Sequence, residues 1–119
     1  MAYTYYLSDY FIKQLASYRK KYRHIIDDVE NTLKSFDKQR AISLGSNVYK
    51  IRFRSSDIAR GKSHAFRMVI YVVEVRSLIS PLIIYFKGDK ENIKKEEILY
   101  HKNIIEKIIE KELGIQWKA

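Results

Sequence analysis

With 119 residues, the chain is long enough for one domain, residues 1–119, with a substantial apolar core. Its 46% hydrophobic and 31% charged residues exclude a disordered chain, and the absence of cysteine excludes disulfides and a thiol nucleophile. The net charge of +9, without a run of about 18 apolar residues or a signal-peptide pattern at the start, predicts a cytoplasmic protein that binds nucleic acid rather than a membrane.

The N-terminal third predicts one short strand and two helices. Segment 3–7 is rich in Tyr and Thr, which favours a strand, and Ser8 is a suitable N-cap for the helix that follows. Apolar residues at helical spacing predict a second helix at about 23–36. The basic cluster 20–23 is interpreted as a solvated helix end or, alternatively, as a phosphate contact.

The middle of the chain predicts the sheet. Segment 37–46 is typical of a polar connector, and two central strands follow within 47–75 around a basic loop. A turn then leads into the last strand at 78–86. Pro81 lies inside this strand and donates no ladder hydrogen bond, so we expect either an edge position or a strand that begins after it.

The C-terminal segment predicts a long helix at about 93–113, ended by Gly114. Its five lysines balance its five glutamates, which favours a role in packing. Trp117 is interpreted as a core anchor or as an exposed contact. The predicted order is β-α-α-β-β-β-α, an α+β fold in which the helices pack on one side of a small, mostly antiparallel four-stranded sheet.

A row of cations marks the first central strand. Lys50, Arg52 and Arg54 alternate with apolar residues, so they share one face of the strand. The segment from Lys50 to Arg67 holds six lysines and arginines and one acid, a net +5 of the chain's +9. A face this cationic repels itself, which predicts an anionic partner.

Residue patterns of the common enzyme classes are missing from the sequence. There is no Gly-rich phosphate loop, and the histidines His24, His64 and His101 have no His or Cys at metal-ligand spacing. We therefore expect neither a metal nor a small-molecule cofactor.

A cationic sheet face allows two kinds of function. It can bind phosphates as a plain electrostatic surface. It can also cleave RNA without a metal, because arginines stabilise the charge that develops when the 2′-hydroxyl attacks the adjacent phosphate and a desolvated lysine can transfer protons. The residues alone do not distinguish binding from catalysis.

Three motifs resemble the RelE/ParE superfamily of toxins from bacterial type II toxin–antitoxin systems, in particular its RelE and HigB-like branches. They are NVYKIRFR, GKSHAFRMVIY and IIYFKGDKENIKKEEI, in that order, and YFIKQLASYRKKY is similar to the family's first helix. The resemblance covers most of the chain. It implies a small, mostly antiparallel sheet with two N-terminal helices and one C-terminal helix.

The resemblance also implies a function and partners. RelE-like and HigB-like members cleave messenger RNA on the ribosome without a metal, ParE-like members inhibit DNA gyrase, and a cognate antitoxin masks the toxin. We therefore expect an mRNA endoribonuclease whose partners are an antitoxin and ribosome-bound mRNA. The alternatives are a ParE-like gyrase inhibitor and a non-catalytic basic nucleic-acid-binding module; the ordered row of cations favours the endoribonuclease.

Residue roles follow from the same resemblance. Arg67 would stabilise the transition-state phosphate and, as a strand-edge residue, would contribute little to the core. Lys50 or Arg52 would position the RNA, and Lys50 is the better proton-transfer group because arginine stays protonated. The catalytic candidates are Lys50, Arg52, Arg67 and Tyr85, and the RNA-binding candidates are Arg54, Arg60, Lys62, Lys87 and Lys90.

Two departures from the family pattern leave the general acid and base open. His64 and Ala65 replace the usual Gly-Gly before the aromatic residue and Arg67. Lysines stand where relatives have an arginine after the last strand. A lysine, His64 and Tyr85 are therefore all candidates for proton transfer.

Overall fold

The computed structural model describes residues 3–58, 65–87 and 93–113, in which a five-stranded sheet lies between helices on both faces. The strands lie in the order β1-β5-β4-β3-β2, with β1 parallel to β5 and the other pairs antiparallel. A 3-10 turn, Glu74–Arg76, links β4 to β5. The elements are β1 (Thr4–Tyr5), α1 (Asp9–Arg19), α2 (Ile25–Lys34), β2 (Ile42–Gly45), β3 (Val48–Phe53), β4 (Phe66–Val73), β5 (Leu78–Phe86) and α3 (Lys95–Leu113).

The predicted N-terminal helices form where their capping and periodicity require. The Ser8 hydroxyl accepts a hydrogen bond from the backbone N–H of Phe11 at 3.1 Å, so Ser8 is the N-cap of α1 as predicted. The buried stripe of α2 is Ile25, Val29 and Leu33, spaced at i, i+4 and i+8. The periodicity had predicted Ile26, Val29, Leu33 and Phe36, and Ile26 is instead 43% exposed.

The sheet has five strands where the sequence predicted four, because the connector 37–46 contains β2. Ile42 and Leu44 of β2 alternate with Ser43 and Gly45, but the pattern covers only four residues, all of them exposed, and gives a weak strand signal. A tight hairpin turn joins it to β3, with positive φ angles of 53° at Ser46 and 64° at Asn47. Such turns usually carry Asn-Gly, and the Ser-Asn pair here gives a weaker sequence signal.

The prediction that all helices pack on one side is wrong. Helices α1 and α2 cover the face that carries Phe66 and Met68, whereas α3 places Ile105 and Ile109 against Val69 and its neighbours on the opposite face. The reason is the composition of β4, whose eight residues are all buried and therefore need a cover on both sides. In the described ranges, no helix is both long and apolar enough to cross a membrane.

Pro81 lies inside β5 at a point where that strand has no strand on its outer side. Strand β1 pairs only with Leu78 and Ile79, and the ladder with β4 shifts register next to Pro81. Beyond it, side chains of α1 satisfy the open edge: the Gln14 Oε1 accepts from Ile84 N at 3.0 Å, and the Tyr18 hydroxyl accepts from Phe86 N at 3.1 Å. The edge position, the first of the two expected alternatives, describes this arrangement.

An aromatic cluster centred on Phe66 joins α1 to the sheet. The Phe66 ring lies 5.0 Å from the rings of Tyr18 and Tyr22, 5.5 Å from Phe53 and 5.1 Å from Phe86, all between centroids. These edge-to-face and offset contacts fill the core at the end of β4 where the cationic residues begin.

The segment after β3 is fastened to the start of α2. The Asp57 carboxylate accepts a hydrogen bond from His24 N at 2.8 Å and contacts His24 Nδ1 at 2.7 Å. The Asp28 carboxylate in turn accepts from Ser56 N at 2.9 Å. These bonds hold residues 56–57, at the end of this described segment, against the start of α2.

We expect this fastening to weaken in acid. Hydrogen bonds from His24 lower the pKa of Asp57, so its contribution is present above the ordinary carboxyl pKa and is lost as the pH falls through the lowered value. Asp57→Asn should lower the urea midpoint at pH 7, and the deficit relative to wild type should shrink at pH 3. The control is Asp27→Asn, which removes another carboxylate from the first turn of α2. An equal deficit of Asp57→Asn at pH 7 and pH 3 would contradict a stabilising role of the Asp57 carboxylate.

Candidate nucleic-acid interface

Three candidate side chains form a row across the centre of the sheet. Arg52 of β3 pairs with Arg67 of β4, which pairs with Tyr85 of β5, so the three lie side by side on one face. Lys50 lies two residues before Arg52 on β3, on the same face and opposite Val69. The structure therefore brings together the four residues that were predicted to be catalytic.

The register of β3 and β4 keeps this row on one face. Phe53 pairs with Phe66 one position further along, and the two rings stack on the opposite face at 5.5 Å. A slip of one residue would move these rings to the face of the cationic row and Arg67 to the face covered by α1 and α2, at a large cost in buried apolar area. The aromatic cluster thus fixes the position of the cations.

Arg67 is not the strand-edge residue that the sequence predicted. It lies on the central strand β4 and is only 6% exposed. Burial lowers the pKa of Arg67, and the nearby charge of Arg52 lowers it further, although a guanidinium remains protonated at neutral pH.

The Arg67 guanidinium is also incompletely bonded. Within residues 3–58, 65–87 and 93–113, its buried Nη1 has no hydrogen-bond partner. A buried cation without a carboxylate and with an unpaired N–H is costly unless an anion completes it. This position is therefore suited to a phosphate group.

Tyr85 completes the row as a neutral donor. It is 4% exposed, and burial raises the pKa of its phenol, an effect that the neighbouring Arg67 partly opposes. At neutral pH the group can donate a proton or a hydrogen bond but cannot act as a base without losing its own proton.

The predicted RNA-binding residues extend the site at one end of the sheet. Arg54 is exposed directly after β3, and Lys87 is exposed after β5, where its backbone N–H donates to Ala65 O at 3.1 Å. This bond places Lys87 beside the start of β4, two residues from Arg67. The other predicted contacts, Arg60, Lys62 and Lys90, lie outside the described residues, as do His64, Gly114 and Trp117.

A cleft of about 460 Å³ opens beside the row, on the face covered by α3. Lys50 and Tyr85 lie in its lining together with Lys95, which the sequence analysis did not single out. The sequence did contain a signal for Lys95, because a lysine in the first turn of a helix is unfavourable to the helix dipole and needs another reason to be there. The remaining lining residues are Leu44, Gly45, Ser46, Val48, Val69, Ile93, Ile98 and Leu99.

Among the described residues, no group of three or more His, Cys, Asp or Glu side chains could hold a metal ion. The row together with Lys50 consists of three cations and a phenol, which match the oxygens of a phosphate.

Comparison with known proteins supports the fold. No family model and no curated protein matches the chain. Among solved structures, the chain is similar to a double arginine mutant of the E. coli toxin RelE in the free state, with 18% sequence identity and a TM-score of 0.53; the match covers 76% of this chain and 90% of that chain. The chain therefore has a RelE-like α+β fold, as the motifs implied.

Proposed function

We propose that the chain is the toxin of a type II toxin–antitoxin system and that it cleaves ribosome-bound messenger RNA without a metal. The observation that carries the proposal is the buried Arg67, whose Nη1 has no partner in the described ranges and which lies between Arg52 and Tyr85. The RelE-like fold supports it.

The reaction is transesterification within the RNA. The 2′-oxygen forms a bond to phosphorus, the bond to the 5′-oxygen breaks, and the products carry a 2′,3′-cyclic phosphate and a 5′-hydroxyl. Arg67 holds the non-bridging oxygens, on which negative charge increases in the transition state. Because Arg67 is shielded from water, its interaction with that charge is stronger than that of an exposed cation.

The proton transfers are assigned from the protonation states of the side chains. Tyr85 is neutral because burial raises its pKa, so it serves as the acid that protonates the leaving 5′-oxygen. Lys50 is half-buried, lies two residues from Arg52 on the same face and takes the proton that leaves the 2′-hydroxyl. Arg52, Arg54 and Lys87 are exposed and bind the flanking phosphates, which adds strong salt dependence.

The partners follow from the same surface. A face that carries Lys50, Arg52 and Arg54 in a chain of net charge +9 attracts the RNA backbone. An antitoxin that covered the row would neutralise the toxin. The row also favours RNA cleavage over gyrase inhibition, since a protein inhibitor of gyrase has no need of a buried arginine with an unpaired N–H.

The chemistry is tested with purified chain and an mRNA bound in the ribosomal A site. We expect cleavage within the codon, with a 2′,3′-cyclic phosphate on the upstream product, and no cleavage of an mRNA that has 2′-deoxyribose at the cut position. Cleavage of the deoxy-substituted mRNA would rule out attack by the 2′-oxygen. A gyrase inhibitor or a simple binding module would leave both RNAs intact.

Tyr85→Phe removes the proposed acid and preserves the ring. We expect the cleavage rate to fall by about 100-fold, in the range of general acid catalysis, with an unchanged thermal midpoint. Tyr100→Phe is the control, because Tyr100 is 63% exposed on α3 and lies outside the row. An equal loss in both variants, or none in Tyr85→Phe, would remove Tyr85 from the mechanism.

A further inference from the structure

We propose that the 460 Å³ cleft beside the cationic row is a subsite for the nucleotide that adjoins the scissile phosphate. The apolar floor of the cleft holds the base of this nucleotide, and Lys95 holds the nucleotide's own phosphate. This inference rests on the proposed function for its place in the reaction. The binding itself depends only on the cleft.

The walls of the cleft come from three parts of the fold. The sheet provides the floor with Val48 and Val69, the turn between β2 and β3 provides one wall, and the start of α3 provides the other. Its volume falls within the range of about 300–1,000 Å³ that is usual for small-ligand sites. A single nucleotide therefore fits between the sheet and α3.

Apolar side chains are left open to solvent at this cleft. Leu44 of β2 is 40% exposed and Leu99 of α3 is 39% exposed, so neither of these lining residues packs fully into the core. A flat, largely apolar base buried between such walls gains the free energy of removing both surfaces from water.

The polar groups of the cleft match a phosphate. Lys50 lines it from the sheet and Lys95 from α3, and no carboxylate lies within ion-pair distance of either lysine in the described part of the chain. Tyr85, which is only 4% exposed, also lines the cleft. Two lysines and a phenol at one cleft match the oxygens of a phosphate.

Tyr85 and Lys50 also connect the cleft to the row. Tyr85 pairs with Arg67, and Lys50 lies two residues from Arg52 on the same face of β3. A strand of RNA whose scissile phosphate contacts Arg67 therefore places the adjoining nucleotide at the cleft. This arrangement predicts that the protein itself contributes to base preference.

Calorimetric titration of the wild-type chain tests the subsite, with adenosine 3′-monophosphate, ribose 5-phosphate and inorganic phosphate as probes. We expect the nucleotide to bind at least about tenfold more tightly than ribose 5-phosphate, because only the nucleotide buries a base. Leu99→Ser should remove this preference, whereas Ile104→Ser, which changes a 38% exposed residue of α3 outside the cleft, should keep it.

Lys95→Gln tests the phosphate contact. It should weaken all three probes about fivefold and make their binding less dependent on salt, whereas Lys107→Gln, an exposed change on the same helix, should have no effect. Equal affinity for the nucleotide and ribose 5-phosphate, or no effect of Leu99→Ser, would overturn the subsite even if the chain cleaves mRNA. Selective nucleotide binding without cleavage would instead uphold the subsite and refute the proposed RNase activity.

Discussion

Arg67→Met is expected to reduce the rate of mRNA cleavage by about 100- to 1,000-fold while leaving the protein folded. The loss corresponds to the removal of one preorganised donor to a charged transition state. The free energy of unfolding should be unchanged or higher. Arg67 is only 6% exposed, and methionine fills the same buried site without the cost of burying a charge. Cleavage assays on ribosome-bound mRNA and urea unfolding of the same preparation measure the two quantities.

The control for Arg67→Met is Arg19→Met, which removes an exposed arginine at the end of α1. It should change cleavage by less than about twofold, since an exposed charge distant from the row makes a small, screened contribution. A large loss of stability in Arg67→Met would mean that Arg67 has a structural partner. Undiminished cleavage would remove it from the site.

Phe66→Ala, one residue away, should have the opposite profile. The Phe66 ring is fully buried among four other rings, and truncation of such a side chain costs about 3–5 kcal/mol. For a domain of this size, that is a large part of the total stability. Urea unfolding followed by circular dichroism should show a much lower midpoint.

Val75→Ala provides the comparison for Phe66→Ala, because Val75 is 84% exposed and its truncation should cost less than about 0.5 kcal/mol. A small effect of Phe66→Ala would show that the aromatic cluster repacks. Any loss of cleavage in this variant should follow the unfolded fraction, so it should recover at lower temperature, unlike the loss in Arg67→Met.

The contrast between these neighbours reflects the geometry of a strand. Phe66 and Arg67 point to opposite faces of β4, one toward α1 and α2 and the other toward the cationic row. Selection for stability alone would not place a buried, incompletely bonded arginine on the central strand. The cost is tolerated where a ligand completes the bonding.

Sequence patterns were sufficient for those parts of the fold that leave periodic signals. The Ser8 cap and the apolar run of β4 are local features that the structure confirms. The predicted stripe of α2 is confirmed only at Val29 and Leu33, because Ile25 is buried in place of Ile26. Strand β2 was missed because all of its residues are exposed and its turn lacks the usual Asn-Gly signal. The amphipathic pattern of α3 predicts that one face of the helix is buried, but it does not predict which side of the sheet the helix covers.

The candidate site was also predictable only in its local features. Alternation along β3 places Lys50 and Arg52 on one face, but the pairing of Arg52 with Arg67 and of Arg67 with Tyr85 depends on strand register. The burial of Arg67 could not be predicted, because it follows from the central position of β4. Lys95 reaches the same cleft from a helix about 30 residues along the chain from Arg67.

The central claim is that the buried Arg67 makes this chain a ribosome-linked RNase. It is tested most directly by brief induction in bacteria of the wild-type chain and of Arg67→Met, followed by mapping of the 5′ ends of cellular mRNA. We predict new 5′ ends inside translated regions with wild type and their loss with Arg67→Met at equal protein level. Growth arrest with intact mRNA, or the same cuts in both strains, would contradict it.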